Sequence, residues 1–175
     1  MKFFTLCLLL VPMFMAGCRH QDHSHLSLGA GDRTINHFTY FSVLDASCTG
    51  STWRDSDHAA IESASARYLH RTLRNLGYLG AGDPMESDFL VTAEWSKRLV
   101  LRPHSRRLFD RSPDRDKFFP EVCVSLQVHA KSYASGEVLW YAELRNAFTI
   151  LDLSQARIEK ALEDALLNFP VKHNR

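Results

Sequence analysis

The sequence has no excess of either charge: 21 lysines and arginines stand against 20 aspartates and glutamates in 175 residues. That balance excludes an overall electrostatic footprint for nucleic acid, so any charged partner must be sought locally. The chain also lacks the apolar run of roughly 20 residues that a membrane-spanning helix needs. The run from Phe3 to Met15 is interrupted by Pro12 and followed at once by Arg19, His20, Gln21 and Asp22. There is no nucleophile elbow, no phosphate-cradling glycine loop and no H-E-x-x-H pair. A catalytic role is therefore not expected. Cysteine is scarce, four in the chain, of which Cys48 and Cys123 are the two that follow Cys18.

What the first residues do have is the layout of an export signal. Lys2 supplies the charge and Phe3 to Met15 the hydrophobic segment. Met15-Ala16-Gly17-Cys18 resembles the lipobox of bacterial lipoproteins, with methionine in place of the usual leucine. The resemblance implies cleavage before Cys18 and acylation of its sulfur, the one covalent group expected on the chain, with no other cofactor. One acyl chain holds a protein only marginally, and two or three make a durable anchor. Arg19 stands where enterobacterial lipoproteins retained in the inner membrane carry an aspartate. The resemblance thus points to the inner leaflet of the outer membrane, facing the periplasm. Residues 1–17 are expected to be a signal peptide, 18–33 an acylated cysteine with a flexible tether, and 34–175 a single domain. The tether contains His20, His23 and His25, candidate metal ligands. The entropy of ordering so polar a segment argues against chelation there.

Beyond the tether, Ile35 to Leu44 is aromatic and β-branched and reads as a strand. The stretch with Cys48, Gly50 and Trp53 reads as a linker. Apolar residues recur at helical spacing from His58 to Leu76, with Asp55, Ser56 and Asp57 offering caps and Gly77 the stop. Alternation marks strands over Asp88 to Leu99, Val122 to Lys131 and Val138 to Phe148, the last two joined by a turn at Ser135-Gly136. A closing helix is expected from Leu153 to Phe169, capped by Asp152 and stopped by Pro170. One-sided strands and one-sided helices bury each other in two layers. The expected fold is α+β, a two-layer sandwich in the order β-α-β-β-β-α, with both helices on one face of a mainly antiparallel sheet of about four strands. Phe89, Trp95, Trp140 and Phe148 should lie in its core.

Several pieces together resemble the envelope lipoproteins that carry domain of unknown function 4136. These are Phe38 to Phe41, Leu76-Gly77-Tyr78, Ser87-Asp88-Phe89-Leu90-Val91, Ser135-Gly136-Glu137-Val138-Leu139-Trp140 and Ala165-Leu166-Leu167-Asn168-Phe169-Pro170. The resemblance implies a two-layer envelope domain with no established activity and transfers no catalytic residues. The chain departs from the commoner pattern near Cys48 to Trp53 and after Leu99.

Three local features remain. An oxidising periplasm would allow Cys48 and Cys123 to pair. Arg102, Arg106, Arg107, Arg111 and Arg115 crowd the segment after Leu99 around Leu108-Phe109, a candidate contact for anionic lipid or glycan, although Asp110, Asp114 and Asp116 offset much of the charge. His58 and Glu62, one helical turn apart, read as a solvated pair. The favoured function is a non-enzymatic module held to a membrane by its lipid, binding an envelope protein, glycan or lipid through its open sheet face or the basic segment. The alternatives are a periplasmic enzyme or metal carrier using His129, Glu143 or the histidine tract, and an accessory subunit of outer-membrane assembly.

Overall fold

The computed structural model describes residues 25–27, 35–50, 53–103 and 118–172. Among these residues seven strands form one sheet: β1 (His25–Ser27), β2 (Tyr40–Val43), β3 (Ser47–Gly50), β4 (Leu79–Gly80), β5 (Phe89–Pro103), β6 (Phe118–Ser132) and β7 (Val138–Thr149). Two α-helices among them, α1 (Asp55–Asn75) and α2 (Gln155–Leu166), cover one face of it. The order across the sheet is β1-β7-β6-β5-β2-β4, with β3 also paired to β5. The mixed α+β class, the two helices and the β5-β6-β7 meander stand as expected. The sheet is wider than the four strands anticipated, and it is partly parallel.

The parallel part follows from the chain path. β2 and β3 run along one edge of β5, parallel to it, and β4 pairs in parallel on the far side of β2. Parallel neighbours need a long crossover, which α1 supplies between β3 and β4. β2 and β3 are one interrupted strand: Val43 lies opposite Val91 and Ser47 opposite Glu94, so residues 44–46 face only two residues of β5. The extra residue makes a bulge, and its buried Ala46 turns inward. The stretch containing Cys48 and Gly50, expected as a linker, is thus strand.

Local signals at the helix ends differ in detail from the sequence reading. Helix α1 starts after Arg54, which makes no side-chain cap, and Asp55 and Asp57 lie in the first turn, where negative charge favours the helix dipole. Its end is as expected. Gly77 adopts φ +95°, and the amides of Gly77 and Tyr78 return to the carbonyls of Arg74 and Leu73 in a Schellman arrangement. Helix α2 is capped by Ser154, whose Oγ accepts from the Arg157 amide, while Asp152 accepts from the Thr149 hydroxyl instead. Of the expected first strand only Tyr40–Val43 pairs. Ile35 is buried in a turn closed by the Phe38 amide on its carbonyl.

Between the layers, Phe89, Val91, Ala93 and Trp95 of β5 meet Val124, Leu126, Val128 and Ala130 of β6 and Trp140, Ala142, Leu144 and Phe148 of β7. The helices bring Ile61, Leu69, Leu73, Ile158 and Leu162 down on them. The expected aromatic stripe is core throughout, and each large apolar side chain so buried contributes roughly 1.5–3 kcal/mol. Tyr78 stacks edge-on to both Phe89 and Phe169, and Phe169 meets Trp140. The Trp95 indole N–H donates to Ser65 Oγ at 3.1 Å, so this buried polar edge is satisfied by α1. Among the described residues no helix is long and apolar enough to cross a membrane.

Two strands outrun their neighbours. β3 ends opposite Lys97 and β7 ends opposite Cys123, yet β5 and β6 continue paired to Pro103 and Phe118. The result is a two-stranded arm projecting from one end of the sheet.

Candidate functional site

Side chains alternate along a strand, so every core residue of β5, β6 and β7 leaves a neighbour pointing away from the helices. The cross-strand register assembles those neighbours into rows. Glu94, Gln127 and Glu143 lie side by side across three strands, and Thr92, His129 and Tyr141 form the next row. Among the described residues this face carries no helix.

The most firmly held carboxylate of the face is the buried Glu143. Both of its oxygens accept from Arg145, Oε1 from Nε at 2.9 Å and Oε2 from a terminal nitrogen at 3.0 Å. This fork, the strong planar geometry of guanidinium on carboxylate, holds the Glu143 carboxyl below the usual carboxylate range, against the opposing effect of burial. Gln127 and Tyr141 push it the same way as the fork. His129 is placed differently. Its ring lies 4.9 Å from that of Tyr141, and its Nε2 is buried without a hydrogen-bond partner, 4.0 Å from Glu94 Oε2. Burial pushes its pKa down, with Glu94 pulling the other way. The arrangement is a flat polar surface of fixed donors and acceptors rather than a cleft, suited to holding a ligand or partner by hydrogen bonds.

A bulge borders this surface. Between the pairs Leu144–Leu126 and Phe148–Val124, residues 145–147 of β7 face Ser125 alone. Asn146 takes a left-handed backbone, φ +52°, and its amide donates to the buried Ser125 hydroxyl at 3.0 Å. The bulge sets Arg145 where it can turn back on Glu143.

Of the residues expected to matter, the structure unites His129 and Glu143 on one face but not on each other. Glu94, Gln127, Tyr141 and Arg145 complete the surface. Their signal was the same alternation that marked the core, read on the opposite parity. His58 and Glu62 are 3.7 Å apart on an exposed turn of α1, with no third ligand. No group of three or more metal-ligating side chains occurs among the described residues. Cys18, His20 and His23 lie outside the described residues, as do Arg106, Arg107, Arg111 and Arg115. His25 lies in β1 opposite Leu144, so part of the expected tether is sheet. Arg102 lies in β5 opposite Phe119.

The expected pairing of Cys48 with Cys123 is not made: no disulfide joins them. Cys48 is opposite Trp95 and packs toward the core, whereas Cys123 is opposite Arg98, on the other face. With β5 between their strands and an offset of three residues along it, they stand roughly 14 Å apart, from strand spacings of about 4.8 Å and a rise of about 3.3 Å per residue, beyond what a disulfide bridges.

A second feature lies at the end of α1, where His70, Arg71, Arg74 and Asn75 line an open depression. Arg71 is already engaged there, stacked on Tyr68 and 3.4 Å from Glu159. Burial and Arg74 lower the pKa of His70.

No family model matches the chain, and no curated protein matches it. Solved structures do. A DUF4136 family protein from Bacteroides thetaiotaomicron superposes with a TM-score of 0.54 at 11% identity, over 87% of this chain and 98% of that one. A PDZ domain protein from Parabacteroides distasonis superposes with a TM-score of 0.51 at 12% identity, over 87% of this chain but 37% of that longer one. The chain shares their fold. At such identities the likeness is one of architecture alone, and it carries no residue of function across.

Proposed function

We propose that this chain is a lipid-anchored, non-enzymatic domain of the bacterial cell envelope, of the kind that carries domain of unknown function 4136, and that it binds an envelope component through the face of β5, β6 and β7 turned away from its helices. The observation that carries the binding part is the registered polar surface of Glu94, Gln127, Glu143, His129 and Tyr141. The anchor rests on the lipobox-like Met15-Ala16-Gly17-Cys18 after a short apolar run. The fold shared with a DUF4136 family protein supports the family reading. On this reading the acyl chains on Cys18 are the only added group, and the domain sits at the inner leaflet of the outer membrane, in the periplasm. Arg102, Arg106, Arg107, Arg111 and Arg115 give it a second, cationic contact for anionic lipid or glycan. A periplasmic enzyme or metal carrier has less support, because both oxygens of Glu143 are committed to Arg145.

The anchor is tested in cells by incorporation of labelled palmitate. Cys18→Ala should lose the label and leave the membrane fraction; a labelled Cys18→Ala chain would overturn the anchor. The face is tested by placing a photocrosslinking residue at Tyr141 and, as a control, at exposed Arg67 on α1. A crosslink specific to position 141 and lost in a Glu94→Lys chain is expected. Equal crosslinking from both positions would count against the face.

A further inference from the structure

The arm formed by the distal halves of β5 and β6 is apolar where a solvated ribbon should not be. Leu99 and Leu101 are 65% and 63% exposed, on the side of β5 that in the body of the sheet is core. Across from them stand Val122 and Pro120. Leu151, 92% exposed, follows the end of β7 beside the base of the arm. Single exposed leucines mean little, but two in consecutive same-face positions, backed by apolar cross-strand partners beyond the last flanking strand, make a stripe. The opposite side of the arm carries exposed Arg98 and, one same-face position further out on the partner strand, Glu121. The sequence joining the two strands, residues 104–117, carries five lysines and arginines against three aspartates.

The path of the chain says what meets this stripe. β1 is antiparallel to β7, with His25 opposite Leu144 and Ser27 opposite Ala142. Its N-terminal end therefore points along β7 toward Thr149, the end of the sheet from which the arm projects. Seven peptide links separate Cys18 from His25, a reach of up to about 25 Å. In β6, which pairs Leu126 with the same Leu144, the eight residues to Phe118 span about 27 Å at ~3.4 Å per residue. An extended segment continued from β1 in that direction would bring Cys18 to the arm's end of the molecule, about as far out as the arm reaches.

We propose that the arm is a second membrane contact, in which Leu99 and Leu101 enter the surface of the same anionic lipid leaflet that holds the acyl chains of Cys18. This rests on the anchor reading of Cys18. Two-point attachment orients the domain: the sheet stands on its arm end, and the polar face of β5, β6 and β7 is held side-on to the membrane. Apolar side chains at a bilayer surface, helped by nearby cations on anionic lipid, are the usual chemistry of such contacts.

The test uses the full acylated chain in vesicles of brominated phosphatidylcholine mixed with phosphatidylglycerol. Brominated tails quench an indole only at close range. Leu101→Trp, or Leu99→Trp should the first not fold, places the reporter on the arm. Met85→Trp places it at an exposed site at the other end of β5. The emission added at the arm should be quenched and shifted to shorter wavelength, and that added at position 85 should not. Quenching at both sites, or at neither, overturns the proposal. The mass of the N-terminal peptide reads the anchor separately. If Cys18 is unmodified, the anchor reading fails, and the arm is then judged by quenching of the same variants on vesicles added to the soluble chain.

Discussion

Ser65 of α1 accepts the indole N–H of Trp95 of β5 at 3.1 Å, and both residues are fully buried. The bond joins the two layers at the largest core side chain. Removing the acceptor leaves a buried donor unpaired, which costs about 1–3 kcal/mol. Ser65→Ala should lower the unfolding free energy by that amount in urea titration. An unchanged midpoint would mean that the serine is passive there.

Asp88 ties the start of β2 to the start of β5, its Oδ2 accepting from the amides of Thr39 and Tyr40 at 2.7 and 2.8 Å. The Asp88 amide returns to the Tyr40 carbonyl. Asp88→Ala should cost roughly 1–3 kcal/mol and speed hydrogen exchange at Thr39 and Tyr40 more than at the amides of β6. Uniform acceleration across the sheet would contradict a local tie.

Gly50 ends β3 at φ +94°, and a Cβ there would lie 2.7 Å from the Lys97 carbonyl oxygen. Neither the backbone conformation nor the space suits another residue. Gly50→Ala should destabilise the fold by more than the ~1 kcal/mol typical of an exposed left-handed site. Thermal melting checks this, and a neutral substitution would show that β3 does not hold its register.

Acid should act on the polar face. The Arg145 fork keeps the folded pKa of Glu143 below its unfolded value, so its contribution is present above the unfolded pKa and is lost as pH falls through the folded one. Burial likewise holds His129 below its ordinary 6.5. The unfolded chain takes that proton first, so stability again declines on acidification, beginning nearer neutrality. Arg145→Met should therefore lower the melting temperature at pH 7 and matter little at the acid end of the stability curve. An equal difference at both ends would disconnect the pair from the pH dependence.

Thiol chemistry gives a direct check on the cysteines. Burial pushes the Cys48 thiol up to about 11, which leaves little thiolate there near neutrality, and Cys123 is fully buried, out of reach of a reagent in solution. Both should react slowly in the folded chain and promptly once it is denatured without reductant. A chain that never yields both thiols would restore the disulfide.

Much of this was written in the sequence, and the rest was hidden for physical reasons. The long strands β5, β6 and β7 alternate over enough residues to reveal core and polar face together, from Phe89 to Trp95 and from Val122 to Lys131. Gly77 marked its helix end because a left-handed stop favours glycine. β1, β3 and β4 have two to four residues each, too few for any period, and they pair only because longer strands offer them an edge. The parallel pairing was nearer to hand than the expected antiparallel sheet suggests. A strand, a helix such as His58 to Leu76 and a second strand imply a crossover, and crossovers join parallel neighbours. The fork of Arg145 on Glu143 joins alternate residues of one strand, which share a face, but alternation alone does not say that the two will meet; Asn146 tolerates the left-handed backbone, yet a single asparagine does not mark a bulge.

The shortness of β1 and β4 has a consequence for life in a crowd. A sheet invites other sheets through its outermost backbone groups, and long flat borders seed aggregates. Here one border is two residues of β4. The other is three residues of β1 laid on β7, with the Asn146 kink breaking the line beyond. Among the described residues, copies packed side by side against these two borders would find only short ladders to extend.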